Sequence, residues 1–321
     1  MSSTASCWFM TTGEAGFRTQ ARSLAQALSA APRELVVGLK APWDRLPAAL
    51  TPQPLALLDP ARERPAPPWP ELLIACGRRT AAISMAIRRA SGGRTLTVQI
   101  QDPLAPADRF DLVVAMAHDA IVGANVIKVE TALHDVTAER LAEAARAWTG
   151  RAPAGVGPLA GVILGDPTAG RPAAAATLLQ SLRRLRASGA RLVVVASRRT
   201  PEALIDALAS AFAGDPGAFV WDRTGDNPYL ATLALSDRII VTSDSVSMIS
   251  EALATPHPVE VFGAAHNARH RRFLSRLEAD GQIGPFTGGP VRERRGEPLC
   301  GLAVAVQAVR ERLAARTGRS A

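Results

Sequence analysis

Short apolar runs rich in branched side chains alternate along the chain with stretches in which apolar positions return every third or fourth residue. Bounded by turn formers, such runs predict buried strands at Cys7–Thr11, Leu35–Leu39, Leu72–Ala75, Thr95–Ile100, Leu112–Ala115 and Val126–Val129 in the first half. After the first of them Phe17, Ala21, Leu24 and Leu28 recur at helical spacing, with Arg18, Gln20, Arg22 and Gln26 between them. A second helix is predicted over Thr80–Ala90, stopped by Ser91-Gly92-Gly93. The Pro-rich segment Pro42–Pro70 reads as a long loop. At Thr149–Pro158 Gly and Pro replace an Ala-rich helical stretch, which predicts a hinge. The pattern then restarts, with strands at Leu159–Leu164, Leu192–Ala196, Ala218–Trp221, Arg238–Thr242 and Val259–Phe262. Helices Pro172–Ser188, Pro201–Ala213, Pro228–Ser236 and Val246–Ala254 are predicted between them.

Strands alternating with helices are the signature of parallel sheets covered on both faces. At 321 residues the chain exceeds what one hydrophobic core usually serves. The predicted fold class is therefore α/β, with two Rossmann-like, doubly wound parallel-sheet domains facing across a cleft. Residues 1–150 form the first domain and 151–300 the second. The C-terminal segment 301–321, amphipathic over Leu302–Ala315, is expected to pack back across the domains.

Composition narrows the function classes. The net charge is +8, carried almost wholly by Arg, since Lys occurs only at Lys40 and Lys128. A basic chain favours anionic partners such as nucleotides, phospholipid surfaces or nucleic acid. Aromatic content of 4%, with no basic block interleaved with aromatics, argues against nucleic acid. Cys7, Cys76 and Cys300 are too far apart for a disulfide framework or a four-cysteine zinc site. No metal and no cofactor are expected. The N-terminus lacks the pattern of a cleaved signal peptide, and no apolar run approaches the ~18 residues of a membrane span. The expected location is the cytoplasm of a bacterial cell, with any membrane contact peripheral, at the inner membrane.

Two turns stand out. Thr11-Thr12-Gly13-Glu14-Ala15-Gly16 leaves a strand and opens a helix, where Gly13 and Gly16 let backbone amides approach an anion. It is neither a three-glycine dinucleotide turn nor a P-loop, and a plain tight turn needing small residues is the other reading. The second turn, Thr242 to Ala252, places Ser243, Asp244, Ser245, Val246, Ser247 and Met248 at the carboxyl end of a strand. Helix capping alone accounts for its hydroxyls, and a diphosphate cradle is the competing explanation. Glu251, two turns into the helix, would accept hydrogen bonds from ribose or sugar hydroxyls.

The segment from Trp221-Asp222 through Gly225-Asp226-Asn227-Pro228-Tyr229 to Asp237–Ala252 resembles the mitochondrial-fission family, meaning the plant elongated-mitochondria protein and its bacterial relatives. Thr11–Gly16 with Gln20, Ile74–Arg79, Val98–Pro103, His118-Asp119 and Ser197–Pro201 carry the same resemblance. That family is similar in turn to glycosyltransferase-B enzymes, including the one that adds N-acetylglucosamine to a lipid-linked peptidoglycan precursor. Two stretches depart from the family's pattern: Leu164–Gly170 replaces a Gly-Gly-rich turn, and His257 precedes Pro258 in place of the usual Gly.

The resemblance implies a nucleotide-sugar donor bound between the domains. Ser197, Arg198, Arg199 and Thr200 would face it, the arginines offering paired bonds to phosphate oxygens. Asn227 and Tyr229 would line a base or sugar pocket. For acid–base work His118 with Asp119 comes first, Glu14 second and Gln101-Asp102 third. Two readings of function stay open. One is a metal-independent hexosyl transferase acting on an unknown acceptor, for instance a lipid-linked or envelope glycan. The other is a noncatalytic adaptor that recruits a membrane-division partner.

Overall fold

The computed structural model describes residues 6–169, 171–290 and 293–317. Gly170 of the 164–170 turn, and the ends of the 1–150 and 301–321 segments, lie outside the described residues.

The chain forms two compact units, one built from residues up to Asp135 together with those from Cys300 onward, the other spanning Val136–Leu299. In unit 1 the chain runs through β1 (Cys7–Thr11), α1 (Ala15–Leu28), β2 (Arg33–Val36), β3 (Leu72–Cys76), α2 (Ala81–Ala90), β4 (Leu96–Ile100), β5 (Leu112–Met116) and β6 (Val126–Val129). All neighbours pair in parallel, in the order β2-β1-β3-β4-β5-β6. Every residue of β1, β3, β4 and β5 is buried, as strands covered on both faces must be. Met10, Leu73, Val113 and Phe110 of the sheet side meet Ile83 and Ile87 of α2 in one core.

β2 ends earlier than the apolar run Leu35–Leu39 suggests. It is an edge strand, and past Val36 its backbone turns to the Pro-rich loop: the Glu63 amide donates to the Val36 carbonyl and the Asp59 amide to that of Gly38. Leu39 survives only as an isolated bridge to Leu58.

Unit 2 runs through α3 (Ala138–Ala147), β7 (Leu159–Leu164), α4 (Ala174–Ala187), β8 (Arg191–Ala196), α5 (Glu202–Ala211), β9 (Ala218–Trp221), α6 (Tyr229–Leu235), β10 (Arg238–Thr242), α7 (Val246–Ala252), β11 (Val259–Phe262), α8 (Ala268–Ala279) and β12 (Ile283–Pro285). Its sheet is also parallel, in the order β12-β11-β10-β7-β8-β9. Leu178, Leu182 and Leu185 of α4 and Leu204 and Leu208 of α5 close one face over Val162, Val194 and Ile240. On β7, Gly161 lets α6 approach closely: a Cβ there would overlap Ser236 and Thr232 of that helix and its C-cap. The last helix, α9 (Gly301–Thr317), belongs to unit 1. α3, read from the sequence as the end of the first half, belongs to unit 2, so the chain passes between the units before the Gly/Pro stretch rather than within it.

α9 is held by Asp111, which precedes β5. The Asp111 carboxylate takes paired bonds from Arg88 of α2 at 3.2 and 3.1 Å and one from Arg316 of α9 at 2.8 Å, while Arg312 Nε donates to the Asp111 carbonyl at 3.0 Å. Burial pushes this carboxyl up, but the guanidinium groups and the Thr97 amide and hydroxyl outweigh it and hold it below its ordinary value.

Candidate functional site

Strand order decides where each sheet can hold a ligand. In an open parallel sheet the crevice lies beyond the carboxyl ends of the strands, where the winding direction reverses. In unit 2 the chain winds outward from β7 through β8 to β9 on one side and through β10, β11 and β12 on the other, so the reversal falls between β7 and β10. The loops leaving those strands are Gly165–Asp166 and Ser243–Ser245. In unit 1 the reversal falls between β1 and β3, at Thr11–Gly16 and Gly77–Thr80. Both turns singled out in the sequence thus sit at a switch point.

At the unit 2 switch point the polar side chains are bound to one another. The Asp244 carboxylate, 4% exposed, accepts from the Asp166 amide at 2.9 Å and from Thr242 Oγ1 at 2.6 Å, and pairs with Arg199 Nη1 at 2.8 Å. Gly165 is required beside it, since a Cβ there would overlap the Asp244 carboxylate. Its amide donates to Thr242 Oγ1 at 2.7 Å. Ser243 Oγ donates to the Ala264 carbonyl at 3.0 Å, and Arg171 reaches the same carbonyl at 3.0 Å. Ser245 caps α7, its Oγ accepting from the Met248 amide at 3.4 Å. The hydroxyls read as cradle groups therefore tie loops together and cap the helix. What remains for a ligand is the opening turn of α7, where the Val246 and Ser247 amides have no intrahelical acceptor, and the arginines of the β8 loop.

That loop is held open by its own hydroxyls. Thr200 Oγ1, buried, donates to the Leu164 carbonyl at 3.0 Å and accepts from the Ser197 amide at 2.8 Å, and the Arg199 amide donates to Ser197 Oγ at 3.2 Å. The turn thereby presents Arg198 and Arg199 at the surface; the Arg199 side chain keeps 51% exposure despite its bridge to Asp244.

Tyr229 and Glu251 come together as well: Tyr229 Oη donates to the Glu251 carboxylate. Burial, and then the charge of Glu251, push the Tyr229 hydroxyl well above its ordinary value, so it stays a donor. Asn227 stands apart as a turn former, its Oδ1 accepting from the Tyr229 amide at 2.9 Å.

Sequence reasoning gave no role to His270, on α8. It is buried, and its Nε2 has no hydrogen-bond partner among the described residues. Burial and the neighbouring His266, stacked at 6.1 Å, depress its pKa, while the Asp244 carboxylate pulls the other way. Its four-residue spacing from His266 is too weak a signal alone to mark a site, and the influence of the Asp244 carboxylate on it shows only in the fold.

In unit 1 the candidate acid–base groups separate. His118 and Asp119 do approach, Nε2 to Oδ1 at 3.7 Å, but their side chains are 6% and 3% exposed. Asp119 Oδ2 accepts from the Met116 amide at 3.2 Å and its carbonyl from Lys128 Nζ at 2.5 Å. This pair closes the turn after β5, and His118 has little surface with which to meet an acceptor hydroxyl. Glu14 instead lies open at the switch point, with Thr12 Oγ1 donating to it and Arg79 at 3.9 Å. Gly13 holds φ +100° and Gly77 φ +90° opposite; a Cβ on Gly77 would press on the Phe17 ring at 3.0 Å. Gly16 opens α1, its carbonyl accepting from Gln20 Nε2 at 3.1 Å. Asp102, the third candidate, caps its own turn through the Leu104 amide at 2.9 Å. Among the described residues no group of three or more His, Cys, Asp or Glu could hold a metal ion, and no helix is long and apolar enough to cross a membrane.

A family model described as Mitochondrial fission ELM1 matches residues 15–313, nearly the whole chain. The chain belongs to that family. A member from Arabidopsis thaliana, the "Mitochondrial fission protein ELM1", is 32% identical over 276 residues, which cover 77% of this chain and 65% of that one. This ELM1-family chain thus spans less than two-thirds of its plant relative. Its fold is similar to that of glycosyltransferase SnogD from Streptomyces nogalater, at 17% identity and TM-score 0.54, covering 96% and 95% of the two chains. It is also similar to UDP-GlcNAc 2-epimerase from Neisseria meningitidis bound to UDP-GlcNAc, at 10% identity and TM-score 0.53, covering 96% and 98%. At these identities the likeness shows the fold alone, two Rossmann-like parallel sheets of glycosyltransferase-B type.

Proposed function

We propose that this ELM1-family protein binds a nucleotide-sugar at the unit 2 switch point and transfers its hexosyl group without a metal. The observation that carries the reading is the Arg199–Asp244 bridge at 2.8 Å, which joins the β8 loop to the turn opening α7 and leaves Arg199 half-exposed there. A diphosphate on this edge would take bonds from Arg198, Arg199 and the Val246 and Ser247 amides, and the same donors would stabilise the departing diphosphate. The Tyr229–Glu251 pair supplies a carboxylate for ribose or sugar hydroxyls. The neighbour bound to UDP-GlcNAc supports the ligand class by analogy of fold.

One observation favours the adaptor reading: Asp244 sets a carboxylate under the opening turn, paired with Arg199. A thermal-shift panel of uridine, guanosine and cytidine diphosphate sugars in chelator-containing buffer separates the two. A transferase is expected to be stabilised by at least one of them, by about 2.7 kcal/mol at a hundredfold excess over Kd. Stabilisation by none would sink the transferase and leave the adaptor.

A further inference from the structure

A second ligand-sized feature lies in unit 1, beside the switch-point turn whose Glu14 pairs with Arg79, and does not rest on the unit 2 reading. A cavity of about 140 Å³ opens where the Pro-rich loop, the start of α2 and the turn after β4 meet. Its lining contains three guanidinium groups, Arg45, Arg78 and Arg79, against one carboxylate, Asp44. All three arginines are exposed. Asp44 Oδ1, by contrast, is buried with no hydrogen-bond partner among the described residues. A buried carboxylate oxygen without a donor is costly, so the site is short of an incoming O–H or N–H.

The rim is apolar in a way the core does not require. Leu46 and Leu104 both line the cavity and are 43% and 60% exposed. Leu104 holds φ +51°, a left-handed conformation that bulky side chains rarely adopt, and Asp102 Oδ1 fixes it there by accepting from its amide. Leu50, 66% exposed, extends the same loop. Large apolar side chains held outward beside guanidinium groups match a molecule with a charged head and a hydrocarbon chain.

We infer that this cavity binds an amphiphile whose head is a hydroxyl-bearing phosphate. The phosphate takes Arg78, Arg79 and Arg45, a head-group hydroxyl donates to Asp44 Oδ1, and the chain lies along Leu46 and Leu104. This chemistry is shared by bilayer lipids with a glycerol-phosphate head and by free or carrier-borne molecules of the same class.

Calorimetric titration of the full chain tests it with three soluble probes: dihexanoyl-phosphatidylglycerol below its micelle concentration, dihexanoyl-phosphatidylcholine, and glycerol 3-phosphate. The phosphatidylglycerol is expected to bind at least about tenfold more tightly than either of the others, one lacking the hydroxylated anionic head and one the chain. The double variant Arg78→Ala/Arg79→Ala should lose both phosphatidylglycerol and glycerol 3-phosphate. Leu46→Ser/Leu104→Ser should reduce phosphatidylglycerol to the level of glycerol 3-phosphate. Changing Arg183 and Arg184 of α4 to Ala should leave every affinity unchanged, which separates a built site from diffuse basicity. All these substitutions fall on exposed side chains, and an unaltered melting midpoint confirms folding. Sedimentation with phosphatidylglycerol vesicles would assign the ligand to a bilayer, and titration without sedimentation to a soluble molecule. Equal affinity for the two dihexanoyl lipids, no binding of the phosphatidylglycerol, or indifference to both site variants would overturn the proposal.

Discussion

Gly165 shows how one residue sets the geometry of the candidate site. With no Cβ it lets the Asp244 carboxylate reach the Asp166 amide and Thr242 Oγ1. Gly165→Ala should push that carboxylate aside, break its bridge to Arg199 and cost about 2–4 kcal/mol, because a buried charge would lose partners. Urea denaturation measures the loss, and a variant within about 0.5 kcal/mol of wild type would show that the crowding is relieved cheaply. Residue-level reading of the sequence found Ser245 and the cap it forms, since capping is local. It did not find that Asp244 is consumed by contacts to two other loops, nor that the His118 side chain is largely covered, because both depend on what the fold brings from elsewhere in the chain.

At the scale of elements the apolar pattern was a good guide, and its misses have physical causes. Strands buried on both faces, such as β1, β7 and β10, read as unbroken apolar runs and appear at the expected residues. β12 is three residues, Ile283–Pro285, with Gly and Pro among them, too short and too poor in strand formers to announce itself. α8 carries several arginines and buries only His270, Phe273 and Leu277, so its apolar stripe is thin. The joint between α2, β4 and α9 at Asp111 was likewise illegible, being made by residues far apart in the chain. It carries a consequence for pH. Because the Asp111 carboxyl is held below its ordinary value, its contribution to stability is present at neutral pH and lost as pH falls through the folded value. Asp111→Asn should lower stability at about pH 7 by about 2–3 kcal/mol and flatten the decline below about pH 4. Equal stabilities at neutral pH, or an unchanged acid decline, would contradict this.

For the molecule as a whole, the α/β class, the parallel sheets and the ELM1-family membership were all legible, because alternation and motif residues persist along the entire chain. Strand order was not, since it depends on which strand pairs with which. Yet it is strand order that places Thr11–Gly16 and Ser243–Ser247 at switch points and gives the functional reading its footing. The most direct measurement is a calorimetric titration of a uridine diphosphate sugar into wild-type protein and into Ser245→Asp. Asp still caps α7 but adds negative charge beside the Val246 and Ser247 amides. The account requires binding by the wild type and a loss of at least about tenfold in the variant. Equal affinity in both proteins would place the nucleotide elsewhere and contradict it.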